Sequence, residues 1–139
     1  MKVSLFQVAV GAVLVGSTAA FVAPSRGNSG MNFALGMAIE DPVAFAKEQI
    51  ASNDVMVFSK SYCPYCTATK TVFEKMAGVD ATVLELDLNE DGEAIQAALL
   101  EITGQRTVPN VFVKGNHIGG NDDTQLAAKM GKIKKMLAN

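Results

Sequence analysis

The 139-residue chain has no tryptophan, one histidine, two cysteines and four prolines. Each shortage excludes something. The cysteines, Cys63 and Cys66, are too close in sequence to be a structural disulfide framework, and a bridge between them would restrain little of the unfolded chain. The pair is therefore present for reactivity or for metal. A structural zinc takes four ligands, and the pair with the lone His117 does not complete such a set within one chain. Neither sign of charge predominates: 12 basic and 14 acidic residues give a net charge of −2, which argues against a nucleic-acid-binding surface. Acid is missing altogether from residues 1–38, which carry only Lys2 and Arg26. The remaining 10 basic and all 14 acidic residues, net −4, fall in 39–139. Two compositional objects share the chain, and the second is long enough to bury one modest core.

Residues 3–15 are largely apolar after Lys2, and they run into the small residues Gly16, Ser17, Thr18, Ala19 and Ala20. This is the three-part pattern of a secretory signal peptide over 1–20, with cleavage after Ala20. A transmembrane anchor is the competing reading, although the strongly apolar part is shorter than the roughly 20 residues a span needs. Phe21, Val22, Ala23, Pro24, Ser25 and Arg26 then open an acid-free stretch to Ala38. That stretch, 21–38, resembles the transit-peptide half of the bipartite leader used by algae with secondary plastids. The resemblance implies import into the plastid stroma, with simple secretion as the alternative.

Asp41 before Pro42 marks a helix start, a side-chain oxygen for the free amides followed by proline at the first helical position. Val43, Ala46 and Ile50 recur on one face of a helix ending near Ser52 and Asn53. Val55, Met56, Val57 and Phe58 form a short continuous apolar run, the signature of a strand buried on both faces. A second helix is predicted over 64–77, with Val72, Phe73 and Met76 inward and Gly78 just past its end. A strand over 82–87 follows, then a helix over 91–103 with the stripe Ile95, Ala98, Leu99 and Ile102, stopped by Gly104. Residues 110–113 and 117–118 flank Lys114, Gly115 and Asn116 as a hairpin. Leu126, Met130, Ile133 and Leu137 continue one helical face to the C-terminus, with Gly131 a candidate break. This order gives an α/β fold: a four-stranded mixed sheet whose first two strands are parallel through a right-handed crossover, flanked by helices on both faces.

The cysteines sit in the turn between the first strand and the second helix. Cys63 falls at the helix N-terminus, where free backbone N–H groups and the helix dipole favour a thiolate, and Lys60 adds a nearby cation. Pro64 pre-sets the turn, and Cys66 lies one helical turn further in, close enough to form a reversible disulfide. Cys63 reads as the exposed attacking thiol and Cys66 as the shielded resolving one. His117, in the hairpin, reads as an ordinary strand residue.

Three separated motifs now stand in order: Val57-Phe58-Ser59-Lys60-Ser61-Tyr62-Cys63-Pro64-Tyr65-Cys66, Gly104-Gln105-Arg106-Thr107-Val108-Pro109, and Gly119-Gly120-Asn121-Asp122-Asp123. Together they resemble the dithiol glutaredoxins of the Cys-Pro-Tyr-Cys class over residues 39–139. The missing tryptophan separates the chain from thioredoxin itself, whose pattern has Trp where Tyr62 stands. The resemblance implies a thioredoxin-like fold, a cis Pro109, and an enzyme that reduces protein–glutathione mixed disulfides and some protein disulfides. Glutathione is the implied co-substrate, with no metal. In the implied site Tyr65, Thr107, Pro109 and Asn121 are among the residues that bind glutathione. Val108, ahead of Pro109, pairs through its backbone with the cysteinyl part of glutathione. Lys60 and Arg106, with Gln105, meet the glycine carboxylate; Gly120 and the amides after it receive the γ-glutamyl carboxylate; Asp122 pairs with the ammonium. Asn121, where many relatives have cysteine, is expected to cap the last helical segment. Glutathionylated or disulfide-containing proteins are the implied partners of a monomer that binds neither nucleic acid nor membrane. The rival reading is a dimer that holds an iron-sulfur cluster through Cys63 and glutathione. Pro64 speaks against it, because cluster-assembling relatives usually carry Gly or Ser there.

Overall fold

The structure, a computed structural model, describes residues 38–139. The leader readings for 1–20 and 21–38 lie outside the described residues, Ala38 apart. Helix α1 (Pro42–Ser52) begins where expected, and the Asp41 carboxylate accepts from the N–H groups of Val43 and Ala44. Strand β1 (Val55–Ser59) is buried at every position. An apolar run without alternation needs cover on both faces, so it takes a central place in the sheet. There it pairs parallel with β2 (Thr82–Glu85) and antiparallel with β3 (Asn110–Val113), and β4 (Asn116–Gly119) completes the order β2-β1-β3-β4.

The pleat divides β1 between two cores. Met56 and Phe58, with Phe112, pack against Ala46 and Ile50 of α1 and Ile95, Ala98 and Leu99 of α3 (Gly92–Thr103). The Phe58 and Phe112 rings meet edge to face at 5.9 Å, the arrangement their quadrupoles favour. On the opposite face Val55, Val57, Val111 and Val113 pack against Phe73 of α2 (Pro64–Glu74), Ala127 of α4 (Asn121–Lys129) and Ile133 of α5 (Lys132–Leu137). The fold is thioredoxin-like, a four-stranded mixed sheet between helical layers, as the element order and the resemblance implied.

Four local expectations are corrected. Helix α2 stops at Glu74 rather than 77, because Met76 N–H returns to the Phe73 carbonyl at 2.9 Å. That tighter turn brings Met76 and Val79 onto the valine-lined core, while Val72 is only half-buried. Strand β2 ends at Glu85, and a 3₁₀ turn over Leu86–Leu88 takes the place of its last two predicted residues. In the hairpin the turn residues are Lys114 and Gly115, with φ of 48° and 77°, and Asn116 already belongs to β4. Two consecutive positive φ angles match the right-handed twist of the flanking strands. Finally, the C-terminal helix divides at Gly131, whose φ is 69°. Leu126 and Met130 are consequently exposed, at 57% and 73%, so the predicted single apolar face does not exist.

The junction between the 3₁₀ turn and α3 leaves no room for a side chain. A Cβ added to Gly92 would stand 1.8 Å from the Leu86 carbonyl oxygen, so Gly92→Ala forces the backbone of one segment to move. The expected loss is about 2 kcal/mol of stability, read from the urea midpoint with the slope unchanged.

Candidate active site

Strand β1 delivers the chain to the C-terminal end of the central strand at Ser59, and the turn that follows is held from two sides. Cys63 N–H bonds to the Lys60 carbonyl at 3.0 Å. From the neighbouring strand's end, Asp87 accepts both the Ser61 N–H, at 2.8 Å, and the Ser61 hydroxyl. The Ser61 hydroxyl, then its N–H, hold the Asp87 carboxyl below its usual range, and the Lys60 cation adds to this. Asp87 was not among the residues singled out from the sequence. Only the 3₁₀ turn after β2 brings it to this loop.

Cys63 occupies the N-cap of α2 and Pro64 the first helical position. Both cysteines are free thiols; Cys63 is partly exposed and Cys66 buried. Desolvation works against a Cys63 thiolate. It is outweighed by hydrogen bonds from the Cys66 N–H, the Cys66 thiol and the Tyr65 N–H, so the Cys63 thiol titrates below its ordinary value although the Glu85 charge opposes this. The free amides of the first helical turn thus supply the lowering expected of a helix start, joined by the Cys66 thiol. The Cys66 thiol is shifted the other way. Burial raises it foremost, and its hydrogen bond to Cys63 adds to this, while the Lys60 N–H and the Ser59 hydroxyl partly offset the rise.

Two depressions take in residues next to the thiols in sequence, Tyr65 in one and Lys60 in the other. One of about 510 Å³ is lined by Tyr65, Gln105, Thr107, Val108, Pro109, Gly120, Asn121, Asp122 and Asp123. The other, about 530 Å³, is lined by Lys60 and Arg106 with Glu93, Gln96, Ala97 and Leu100 of α3. All the sequence-predicted site residues therefore line one of these surfaces or carry the thiols between them. The Val108–Pro109 bond is cis. The Gln105 amide donates to the carbonyls of Thr107, at 3.1 Å, and Pro109, at 2.9 Å. It buttresses the loop. Asn121 is the first residue of α4 rather than its cap; Gly120 takes the cap position, and its N–H is met by Asp123 at 3.4 Å. The Asn121 carbonyl oxygen instead accepts from Thr69 and Gln125, tying α2 to α4. His117 bonds to Asn110 at 2.8 Å and packs on Phe112, away from the thiols in the fold's far hairpin. Among the described residues, no three His, Cys, Asp or Glu side chains gather as a metal site.

Residues 55–118 match the family model described as Glutaredoxin. The chain is 52% identical over 93 residues to glutaredoxin-C4 of Arabidopsis thaliana, an alignment spanning 67% of this chain and 68% of that one. Identity to glutaredoxin-1 of Saccharomyces cerevisiae is 47% over 104 residues, 73% of this chain and 94% of the relative. Among solved structures, a buckwheat glutaredoxin–glutathione complex superposes with a TM-score of 0.65 at 45% identity, covering 73% of this chain and 94% of that one.

The opposite shifts of the two thiols are measurable. Alkylation by iodoacetamide proceeds through the thiolate, so its rate climbs as pH rises through a thiol's pKa and levels above it. In the reduced protein Cys63 is expected to be modified first, with its climb centred below that of free cysteine, and Cys66 to resist until higher pH. Peptide mass spectrometry of the alkylated protein reads both; modification of Cys66 ahead of Cys63 contradicts the assignment.

Proposed function

The chain belongs to the glutaredoxin family and is a glutathione-dependent thiol–disulfide oxidoreductase, and we propose that Cys63 is its nucleophile and Cys66 its resolving thiol. The observation that carries this is the opposed pair of thiol environments: one partly exposed at a helix N-terminus whose amides favour its thiolate, the other buried one turn further along. Glutathione is the co-substrate.

With a glutathionylated protein, the Cys63 thiolate attacks the glutathione sulfur. The Cys63–glutathione bond forms, the bond to the protein sulfur breaks, and the released protein thiolate takes a proton from solvent. A second glutathione, as thiolate, then attacks the glutathione sulfur on Cys63, giving oxidised glutathione and restoring the Cys63 thiolate. With a protein disulfide, Cys63 forms a mixed disulfide that Cys66 resolves, leaving a Cys63–Cys66 bond that two glutathiones reduce.

In this reading glutathione spans both depressions. Lys60 and Arg106, which line the same depression, face the glycine carboxylate. Val108 pairs through its backbone with the cysteinyl residue. The N–H groups at the start of α4, at Gly120 and Asn121, receive the γ-glutamyl carboxylate, and Asp122 meets the ammonium; Tyr65, Thr107 and Pro109 shape the wall against which the peptide lies. Exposed ion pairs of this kind contribute roughly 0 to 1 kcal/mol each, so the site suits a transient co-substrate. The enzyme acts as a monomer on glutathionylated and disulfide-containing proteins.

The leader reading assigns this chemistry to the plastid stroma. Glutathione-driven reduction requires a reducing compartment, which favours the stroma over the secretory route that residues 1–20 alone would suggest.

Cys63→Ser is expected to abolish both deglutathionylation and disulfide reduction, and Cys66→Ser to abolish only the latter. Coupled assays with a glutathionylated peptide and a disulfide substrate separate the two, and an active Cys63→Ser protein would overturn the nucleophile. Imaging of a fluorescent protein fused to residues 1–38 is expected to show plastid signal that moves to the secretory pathway when Phe21 is replaced by Ala; secretion of the unaltered fusion would remove the plastid address.

A further inference from the structure

The loop between α3 and β3 carries the Val108 backbone assigned above to the cysteinyl residue of glutathione. Packing fixes one end of it: Pro109 is buried, and Val108 rests on the core that holds Met56, Phe58 and Phe112. The tip is not packed, because Arg106 and Thr107 are exposed. Hydrogen bonds shape it instead. At the end of α3 the Thr103 hydroxyl donates to the Leu99 carbonyl at 2.7 Å and accepts the Gln105 N–H at 3.0 Å, while Gly104, with φ of 72°, takes the left-handed conformation that stops the helix.

Side-chain amides then take the loop's carbonyls. Gln96 of α3 donates to the Arg106 carbonyl at 2.8 Å, and Gln105 donates to those of Thr107 and Pro109 at 3.1 and 2.9 Å. Of the four successive carbonyls at 106–109, three are held in this way, and none of these bonds takes that of Val108. A carboxamide nitrogen carries two hydrogens, so the Gln105 amide, with one carbonyl on each side of Val108, has no donor to spare for a ligand's carboxylate. The amide also stands near α4: a Cβ placed on Gly120 would lie 3.8 Å from Gln105 Nε2 and 3.8 Å from the Pro109 oxygen. It therefore bears on both the loop and the helix start that line one depression.

We propose that Gln105 is a positioning residue for glutathione: its amide brackets Val108 by holding the carbonyls before and after it, and so presents the Val108 backbone to the cysteinyl residue without itself touching the co-substrate. The bracket rests on the reading of Val108 as the backbone partner of glutathione. Its effect is one of preorganisation. A loop tip that packing leaves loose must be ordered at each encounter, at a cost to affinity, and two bonds from one short side chain order it in advance. Thr103 completes the device by fixing the Gln105 backbone from which that side chain springs.

The test uses one peptide whose cysteine carries glutathione, γ-glutamylcysteine or mercaptoethanol as a mixed disulfide. The second adduct lacks only the glycine; the third lacks every group that Val108 and α4 would hold. The reduced full chain, in excess, is mixed with each peptide and quenched in acid at intervals, and the freed peptide thiol gives the rate of a single turnover. Gln105→Met keeps the side chain's length and loses both donors. It is expected to slow release about tenfold on the glutathionyl and γ-glutamylcysteinyl peptides alike, within what two ordinary hydrogen bonds supply, and by no more than about twofold on the mercaptoethanol peptide. The pH dependence of Cys63 alkylation should not move. Thr103→Val, which removes the hydroxyl that seats Gln105, is expected to give a smaller loss of the same pattern. A loss confined to the glutathionyl peptide would put the Gln105 amide on the glycine carboxylate and overturn the bracket, as would an equal loss on all three peptides or none in Gln105→Met. If the unsubstituted protein handles all three adducts at one rate, the glutathione site itself is overturned, and the bracket with it.

Discussion

A thiolate at Cys63 is held by hydrogen-bond donors that exist only because a helix begins there. The first turn of any helix leaves N–H groups without partners, and in α2 the amides of Tyr65 and Cys66 point at the sulfur of the N-cap residue. Most other features of the site are consequences of keeping that helix start in place. The central strand β1, buried on both faces, fixes where the chain emerges. Asp87 pins the intervening turn through Ser61, and the Thr69–Asn121 bond ties the body of α2 to α4.

The same arrangement imposes a difficulty on the second cysteine. One helical turn beyond an exposed N-terminus is the interior, so a thiol that is near enough to close a disulfide with Cys63 is also buried against the sheet. Burial raises its pKa and separates it from solvent bases. The polar residues at the ends of β1 and β2, together with Lys70, stand where an apolar core would otherwise continue from Val57 and Val83.

Much of this was legible in the residues. The apolar run 55–58, the Asp41-Pro42 start, the stripe in α3 and the Cys-Pro-Tyr-Cys turn each carry a local physical signal strong enough to survive folding. Helix α2 ends early as Met76 N–H turns back to the Phe73 carbonyl, and β2 gives way to a 3₁₀ turn at Leu86, both at ends where local preference is nearly neutral, while the last helix breaks at Gly131 where the sequence offered a break. Asn121 was read as a helix cap, yet its side-chain oxygen accepts from Thr69 and Gln125, partners that no spacing rule exposes.

The sequence by itself determined the element order, the central place of β1, the position of the thiols at a strand-to-helix turn and the change in charge composition after residue 38, since each follows from periodicity, capping or charge over a few neighbouring residues. Tertiary structure alone decided how completely Cys66 is buried, that Asp87 grips the turn at Ser61, and that Lys70 of α2 pairs with Glu85 of β2. These residues are scattered along the chain, and only the parallel register of β1 with β2 and the packing of α2 across it bring their side chains within reach of one another.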